Sequence, residues 1–128
     1  MFLVLVSDIA CWALHSTISS YADDSSSTIS KPNINLLKSV TEEECKIIMN
    51  YMSTNDLVAN SDKTELLVCR PKKGKNNPTP LHINIGGYDV EESTSIKLLG
   101  MHISNDLSWA EHVRQLEKHL HHILFTLR

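Results

Sequence analysis

Two adjacent aspartates, Asp23 and Asp24, stand in a stretch of small hydroxyl residues, ISSYADDSSSTIS at positions 18–30. Neighbouring carboxylates repel each other when no cation is near, so an ordinary hairpin turn gains little from two of them. One interpretation is a turn in which an aspartate bonds its own backbone. The other is a divalent-metal site, because oxygen ligands suit Mg²⁺ and a turn lets neighbouring carboxylates approach one ion. The pair alone leaves both interpretations open.

Two other groups of side chains are candidates for binding. Histidines crowd the last predicted helix, but no cysteine is near them, and a solvated helix face explains them better than a metal site does. These histidines are His112, His119, His121 and His122. A basic cluster lies in a Pro- and Asn-rich loop, where it is either a phosphate contact or a solvated loop tip. This cluster is Arg70, Lys72, Lys73 and Lys75.

Composition restricts the class of protein. The chain has 128 residues, is 41% hydrophobic and carries a net charge of −3, which fits a modest globular domain and gives no bulk attraction to nucleic acid. Three widely spaced cysteines indicate reduced thiols in an intracellular protein, nuclear or cytoplasmic. The apolar start lacks a basic segment and is interrupted by Ser7 and Asp8, so we predict a buried helix over 2–14 and no membrane span. A small secreted protein is the alternative.

Around the aspartates, the pattern predicts a hairpin of two short strands, 16–21 and 25–30. A long helix follows, from Pro32 and Asn33 to about residue 55, with one face spaced i, i+3, i+4 and i+7. That face consists of Cys45, Ile48, Met49 and Met52. Leu66, Leu67 and Val68 predict a short buried strand.

The second half of the chain predicts strands followed by a helix. Leu81, Ile83 and Ile85 alternate before Gly86-Gly87, which indicates a strand and a hairpin turn. The return strand, 95–104, changes phase at Gly100, and we predict a bulge or a close backbone approach there. Ser108 and Glu111 have the spacing of a capping box, and an apolar stripe of helical period follows as far as Leu127. The elements together predict an α+β fold.

The order of these pieces carries a resemblance to a known family. Tyr21-Ala22-Asp23-Asp24 resembles the Y/F-x-D-D motif of reverse transcriptases, and FLVLVSDI is similar to the helix that precedes that motif in non-LTR retrotransposon polymerases of the jockey and LINE-like groups. The segments NYMSTNDLVANSDKTELLV and SIKLLGMHISNDLSWAEHV resemble two downstream segments of the same polymerases. The four segments occur in the family's order and cover nearly the whole chain.

The resemblance implies a role for each matched residue. Asp23 would be the main metal-ligating carboxylate and Asp24 its neighbour, in a two-metal nucleotidyl transfer with ions about 3.5–4 Å apart. Lys63 would lie near the triphosphate as a proton donor to departing pyrophosphate. The primer end would be held by Tyr21, Ala22, Leu99, Gly100 and Met101. The implied cofactor is Mg²⁺, or Mn²⁺, in the complete polymerase, and the implied partners are an RNA template, a DNA primer and a dNTP.

Two departures from the family pattern indicate a partial copy. The family uses another aspartate from an earlier strand, whereas the only carboxylate before Tyr21 is Asp8, which matches a non-catalytic position. The strand after the motif is usually apolar, yet this chain has Ser25-Ser26-Ser27-Thr28. We therefore expect a palm fragment over 1–104 and the start of a thumb helix over 105–128, inactive without its N-terminal half. A non-catalytic module that binds nucleic acid or protein through 70–75 and the last helix is the alternative.

Overall fold

A computed structural model describes residues 8–21, 24–70 and 79–127. Helices and small sheets are mixed, so the fold is α+β, as predicted. The chain divides into two compact units, Met1–Thr64 with Leu81–Val90, and Glu65–Pro80 with Glu91–Arg128. In chain order the elements are α1 (Ile9–Trp12), β1 (Thr17–Tyr21), β2 (Asp24–Thr28), α2 (Ile34–Thr54), a 3₁₀ turn (Ser61–Lys63), β3 (Leu66–Leu67), β4 (His82–Ile85), β5 (Tyr88–Ser93), β6 (Ser95–Leu98), β7 (Met101–Ser104) and α3 (Ala110–Thr126).

Helix α2 is the longest element of the first unit, and the prediction of its start and end is confirmed. The side-chain oxygen of Asn33 accepts a hydrogen bond from the Asn35 amide at 2.8 Å and so caps the first turn. The buried residues of the helix are Val40, Glu44 and Tyr51. The predicted face, from Cys45 to Met52, is half-buried beside them. The prediction of a buried helix over 2–14 is wrong in the described part of that segment, which is helical only at α1 and buries only Ile9 of that helix, whereas Trp12 and Leu14 are exposed. Residues 2–7 lie outside the described ranges.

The carboxylate of Glu44 is completely buried and holds the segment between α1 and β1. It accepts hydrogen bonds from the backbone amides of Leu14 and His15, both at 3.1 Å, and from the Ser16 hydroxyl at 2.6 Å. A buried carboxylate is costly unless its oxygens are bonded in this way. Strand β1 begins at the next residue, so Glu44 fixes where that strand starts relative to α2.

Strand β4 and the hairpin turn at Gly86-Gly87 are confirmed, but the strand that returns beside β4 is β5, and not the predicted segment 95–104. Leu81 and Ile83 are buried, in keeping with their alternation. Gly86 and Gly87 make the turn with φ of +58° and +95°, values that favour glycine. A Cβ on Gly86 would lie 2.8 Å from the Met49 methyl, so glycine there also allows close packing against α2.

The second unit contains a parallel strand pair and an ion pair. Strand β3 pairs with the end of β5, with Leu66 opposite Glu92 and Leu67 opposite Ser93. Val68, which follows β3, is buried. The Arg70 guanidinium binds both carboxylate oxygens of Glu92, and one of these contacts is 2.6 Å. The bidentate contact fixes the orientation of the guanidinium, in addition to the attraction between the two opposite charges.

The prediction of one bulged strand over 95–104 is wrong, because the chain turns back at Gly100. Strands β6 and β7 pair antiparallel, with Leu98 opposite Met101. Leu99 and Gly100 form the two-residue turn, with φ of +48° and +84°. Two successive positive φ values are typical of a type I′ hairpin turn. The phase change in the sequence therefore marks a reversal of direction and not an extra residue.

The predicted capping box at the start of α3 is also wrong. Trp109 is the N-cap residue and makes no side-chain capping bond. The Ser108 amide instead donates to Asp106 Oδ1 at 3.0 Å. The Glu111 carboxylate is bound by Arg114 and Gln115 at 2.6 and 2.7 Å, and these bonds lower the pKa of Glu111 to about 2. The Ser108 amide and the Glu111 carboxylate therefore each bind a nearby side chain, and the two residues do not cap the helix together.

We predict that Glu44→Ala destabilises the chain by about 3 kcal/mol, because it leaves two amides and a hydroxyl without their acceptor in a buried site. Urea unfolding followed by circular dichroism measures this change. Glu43→Ala is the matched control, since Glu43 is the exposed neighbour on the same helix and its loss should cost less than about 0.5 kcal/mol. Equal effects of the two substitutions would contradict the structural role of Glu44.

Candidate functional site

The YADD sequence lies at the closed end of the β1–β2 hairpin. The two strands pair antiparallel in a continuous register that ends with Tyr21 opposite Asp24. Residues opposite each other on antiparallel strands share a face, so these two side chains are neighbours. Tyr21 is 71% exposed and Asp24 is also exposed. Ala22 and Asp23 connect the strands and lie outside the described residues, as does the predicted metal role of Asp23.

Polar contacts hold this hairpin together, and little apolar surface is buried in it. The Ser20 and Ser25 hydroxyl oxygens lie 2.9 Å apart across the strands. The Ser26 hydroxyl donates to the Ser19 carbonyl at 3.3 Å. Most residues of both strands are exposed. The serine run after the aspartates therefore suits a hairpin that projects into solvent, where an apolar strand would need a cover.

The carboxylate of Asp8 has a structural partner. The Tyr51 hydroxyl donates a hydrogen bond to Asp8 Oδ1, and the Trp12 ring packs 5.8 Å from the Tyr51 ring, centroid to centroid. The bond to Asp8 raises the pKa of Tyr51 to about 12. These contacts join α1 to α2. They give Asp8 a packing role.

Lys63 lies in the first unit, at the end of the 3₁₀ turn, and is exposed. Asn60 organises this turn: its side-chain oxygen accepts from the Asp62 amide at 3.0 Å, and its carbonyl accepts from the Thr64 hydroxyl at 2.9 Å. The Lys63 amide donates to the same carbonyl at 3.2 Å. The sequence interpretation missed Asn60, although an asparagine two residues before a polar turn residue is typical of such side-chain bonding.

The predicted primer-contacting residues Leu99, Gly100 and Met101 belong to the second unit. They form the end of the β6–β7 hairpin, and Leu99 and Met101 are 52% and 44% exposed. A leucine with φ of +48° is strained, because its Cβ approaches the following carbonyl. This positive φ is the one that the first position of a type I′ turn requires.

The histidines and the basic cluster are poor candidates for a binding site, because two of their members already have partners within the chain. His112 Nδ1 accepts the His102 backbone amide at 3.3 Å, so that ring is engaged with β7. The other three, His119, His121 and His122, are exposed on α3. Arg70 is committed to Glu92, and the lysines of the cluster lie outside the described ranges. Among the residues that the structure describes, no three histidine, cysteine or acidic side chains are grouped as metal ligands.

We predict that the Tyr51 phenol titrates near pH 12 in the folded chain. Its folded pKa lies above the ordinary value of 10, so the stability that it contributes is complete below pH 10 and is lost as the pH rises through 12. The difference in phenolate absorbance between the wild type and Tyr51→Phe isolates this group.

The acceptor on Asp8 is tested with the same titration. Asp8→Ala removes it and should move the midpoint back toward 10, whereas Glu43→Ala removes an exposed carboxylate from α2 and should leave the midpoint near 12. A midpoint near 10 in the wild type would show that the Tyr51–Asp8 bond does not form in solution.

Comparison with models of known protein families, with curated proteins and with solved structures yields no match. Within the described part of the chain, no helix is both long enough and apolar enough to cross a membrane. Any assignment of function therefore rests on the sequence segments whose resemblance is described above and on the geometry of the β1–β2 and β6–β7 hairpins.

Proposed function

We propose that this chain is part of an RNA-directed DNA polymerase, a reverse transcriptase of a non-LTR retrotransposon. In this proposal, residues 1–104 are the later part of the palm and 105–128 begin the thumb. The observation that carries it is the register of the β1–β2 hairpin, which ends with Tyr21 opposite Asp24 and leaves Ala22 and Asp23 to join the strands. A hairpin that ends between an exposed Tyr21 and an exposed Asp24 suits such a polymerase motif.

The donor set at the turn suits a hard divalent cation. Asp24 is exposed, no described positive side chain is bonded to it, and Asp23 is its neighbour in the chain. Bound Mg²⁺ would polarise the phosphoryl oxygens and neutralise the charge that develops on the leaving pyrophosphate. The two carboxylates would hold the cation. The attraction of each carboxylate to the shared cation would outweigh the repulsion between the two carboxylates.

Two exposed segments supply the remaining proposed roles. Lys63, held on its 3₁₀ turn by Asn60, would approach the triphosphate and donate a proton to pyrophosphate. Leu99 and Gly100, at the end of the β6–β7 hairpin, would contact the primer strand with backbone and apolar surface. Both segments are solvent-facing, which a contact to substrate requires.

The chain alone should not synthesise DNA. The resemblance implies a further aspartate from an earlier strand, and the only carboxylate before Tyr21 is Asp8. The Tyr51 hydroxyl already binds Asp8. A complete polymerase would therefore need an aspartate from residues beyond these 128, together with the fingers that hold the template and the dNTP.

A non-catalytic interaction module is the second candidate. The exposed apolar residues of α3 favour it, since such a surface is typical of a binding helix. The pairing of Arg70 with Glu92 counts against a phosphate site at the basic cluster. Dependence of nucleic-acid binding on Asp23 and on Mg²⁺ distinguishes the two candidates, because only the polymerase site uses the carboxylates.

We predict that, in a complete polymerase that contains this segment, Asp23→Asn lowers the primer-extension rate on an RNA template by at least about 10²–10³. The substitution keeps the size of the side chain but removes a negative charge from the metal site. Asp24→Asn should be less severe. The 128-residue chain should give no extension under the same conditions with Mg²⁺ or Mn²⁺.

Asp8→Asn is the matched control, because it makes the same chemical change at a residue bonded to Tyr51. It should leave the extension rate nearly unchanged. Loss of activity equal to that of Asp23→Asn would show that the alignment to the family is wrong. Extension by the 128-residue chain itself would contradict the need for an additional aspartate.

A further inference from the structure

The β1–β2 hairpin leads to the acidic turn but buries little of its own surface. Within the described residues, the side-chain hydrogen bonds of the hairpin join its own two strands, Ser20 to Ser25 and Ser26 to the Ser19 carbonyl. Ile18 and Ser26 are half-buried, and the other described residues of both strands are exposed. A two-stranded hairpin of this kind gains little orientation from its own packing, so its direction depends on how its base is held.

The base of the hairpin is held by the two oxygens of the Glu44 carboxylate. Oε1 accepts a hydrogen bond from the Ser16 hydroxyl at 2.6 Å and another from the Leu14 amide at 3.1 Å. Oε2 accepts from the His15 amide at 3.1 Å and shares the Leu14 amide at 3.3 Å. Strand β1 begins at Thr17, directly after Ser16. Three successive residues before the strand are therefore bound to one side chain of α2.

The chemistry of this contact requires a carboxylate. Each group bonded to the two oxygens is a donor, and the described residues offer the carboxylate no ion pair. Glu44 is 0% exposed, so solvent does not reach it to replace a lost donor. A glutamine has the same shape but presents an NH₂ group at one of the two positions, where it would meet another donor. Glu44→Gln would therefore release part of segment 14–16.

Helix α2 gives the contact a firm support. It runs over Ile34–Thr54, and Val40, Glu44 and Tyr51 are its buried residues. Their spacing places them on one face of the helix. The Tyr51 hydroxyl donates to the Asp8 carboxylate, so the same face holds the chain before α1 as well as after it. The direction in which β1 leaves Glu44 is thus defined relative to a long, anchored helix.

We propose that Glu44 is the positioning residue of the acidic turn. It orients the β1–β2 hairpin relative to α2, and so sets where Tyr21 and Asp24 stand at the end of the register. Its effect on catalysis rests on the proposed polymerase function, in which a displacement of the metal ligands by about 1 Å can lower the rate about 10²-fold. Glu44 is buried, so it acts through segment 14–16 and not by contact with a substrate.

The orientation is measured in the 128-residue chain, where no polymerase activity is needed. Residual dipolar couplings of the backbone amides report the direction of each element. We expect Glu44→Gln to diminish the couplings of strands β1 and β2, while those of α2 and the cross-strand contacts of the hairpin persist. Glu43→Gln is the matched control at the exposed neighbouring position and should leave all couplings unchanged. Hairpin couplings that Glu44→Gln leaves unchanged would overturn the proposal.

Ser16 tests the same contact from the other side, and it decides the matter if the Glu44→Gln chain does not fold. Ser16→Ala removes the donor at 2.6 Å and keeps both amide bonds, so we expect a partial loss of the hairpin couplings. Ser16→Thr retains the hydroxyl and should behave like the wild type. Equal couplings in the two Ser16 variants would contradict the role of this contact.

In a complete polymerase that contains this segment, Glu44→Gln should lower kcat for primer extension by about 10- to 100-fold. The KM for the dNTP should stay nearly unchanged, because misplaced metal ligands impair the chemical step more than binding. Glu43→Gln should alter neither constant. An unchanged kcat together with diminished hairpin couplings would overturn the positioning role. Full extension by Asp23→Asn would instead overturn the polymerase function, and the couplings would still decide whether Glu44 orients the hairpin.

Discussion

The buried carboxylate of Glu44 sets the geometry of the first unit. It takes the amides of Leu14 and His15 and the hydroxyl of Ser16, so the chain that leaves α1 is fixed to the middle of α2. Strand β1 starts at the next residue and runs to Tyr21. The position at which the YADD turn emerges therefore depends on an acidic residue of a helix that has no catalytic role itself.

Hydrogen bonds between polar groups position the exposed segments of the described chain, and few hydrophobic side chains are buried beneath them. Asn60 holds the turn of Lys63, and Ser104 and Asp106 hold the approach to α3. The described buried hydrophobic residues are Ile9, Val40, Tyr51, Val68, Leu81 and Ile83. A small core limits the stability that burial can supply, which makes each buried hydrogen bond more important.

Periodicity and turn chemistry predicted most elements, because those signals are local. The alternation before Gly86-Gly87 and the start of α2 at Asn33 followed directly from residue type. Glu44 was missed because a carboxylate is not counted as a core residue, although it lies in the buried row of its helix. The Leu99 turn was missed because leucine rarely adopts positive φ, so the apolar run seemed continuous. The capping box was wrong because Arg114 and Gln115 donate to the Glu111 carboxylate, and sequence spacing does not show which of several possible donors will bind it.

The central claim is that the acidic turn of the first hairpin binds a divalent cation. Paramagnetic broadening of backbone amide signals by substoichiometric Mn²⁺ measures this directly in the 128-residue chain, without any need for polymerase activity. We expect broadening to centre on residues 21–24. Asp23→Asn and Asp24→Asn should each reduce it, and Asp8→Asn should leave it in place. Broadening confined to the histidines of α3, or unchanged by both turn substitutions, would contradict the account.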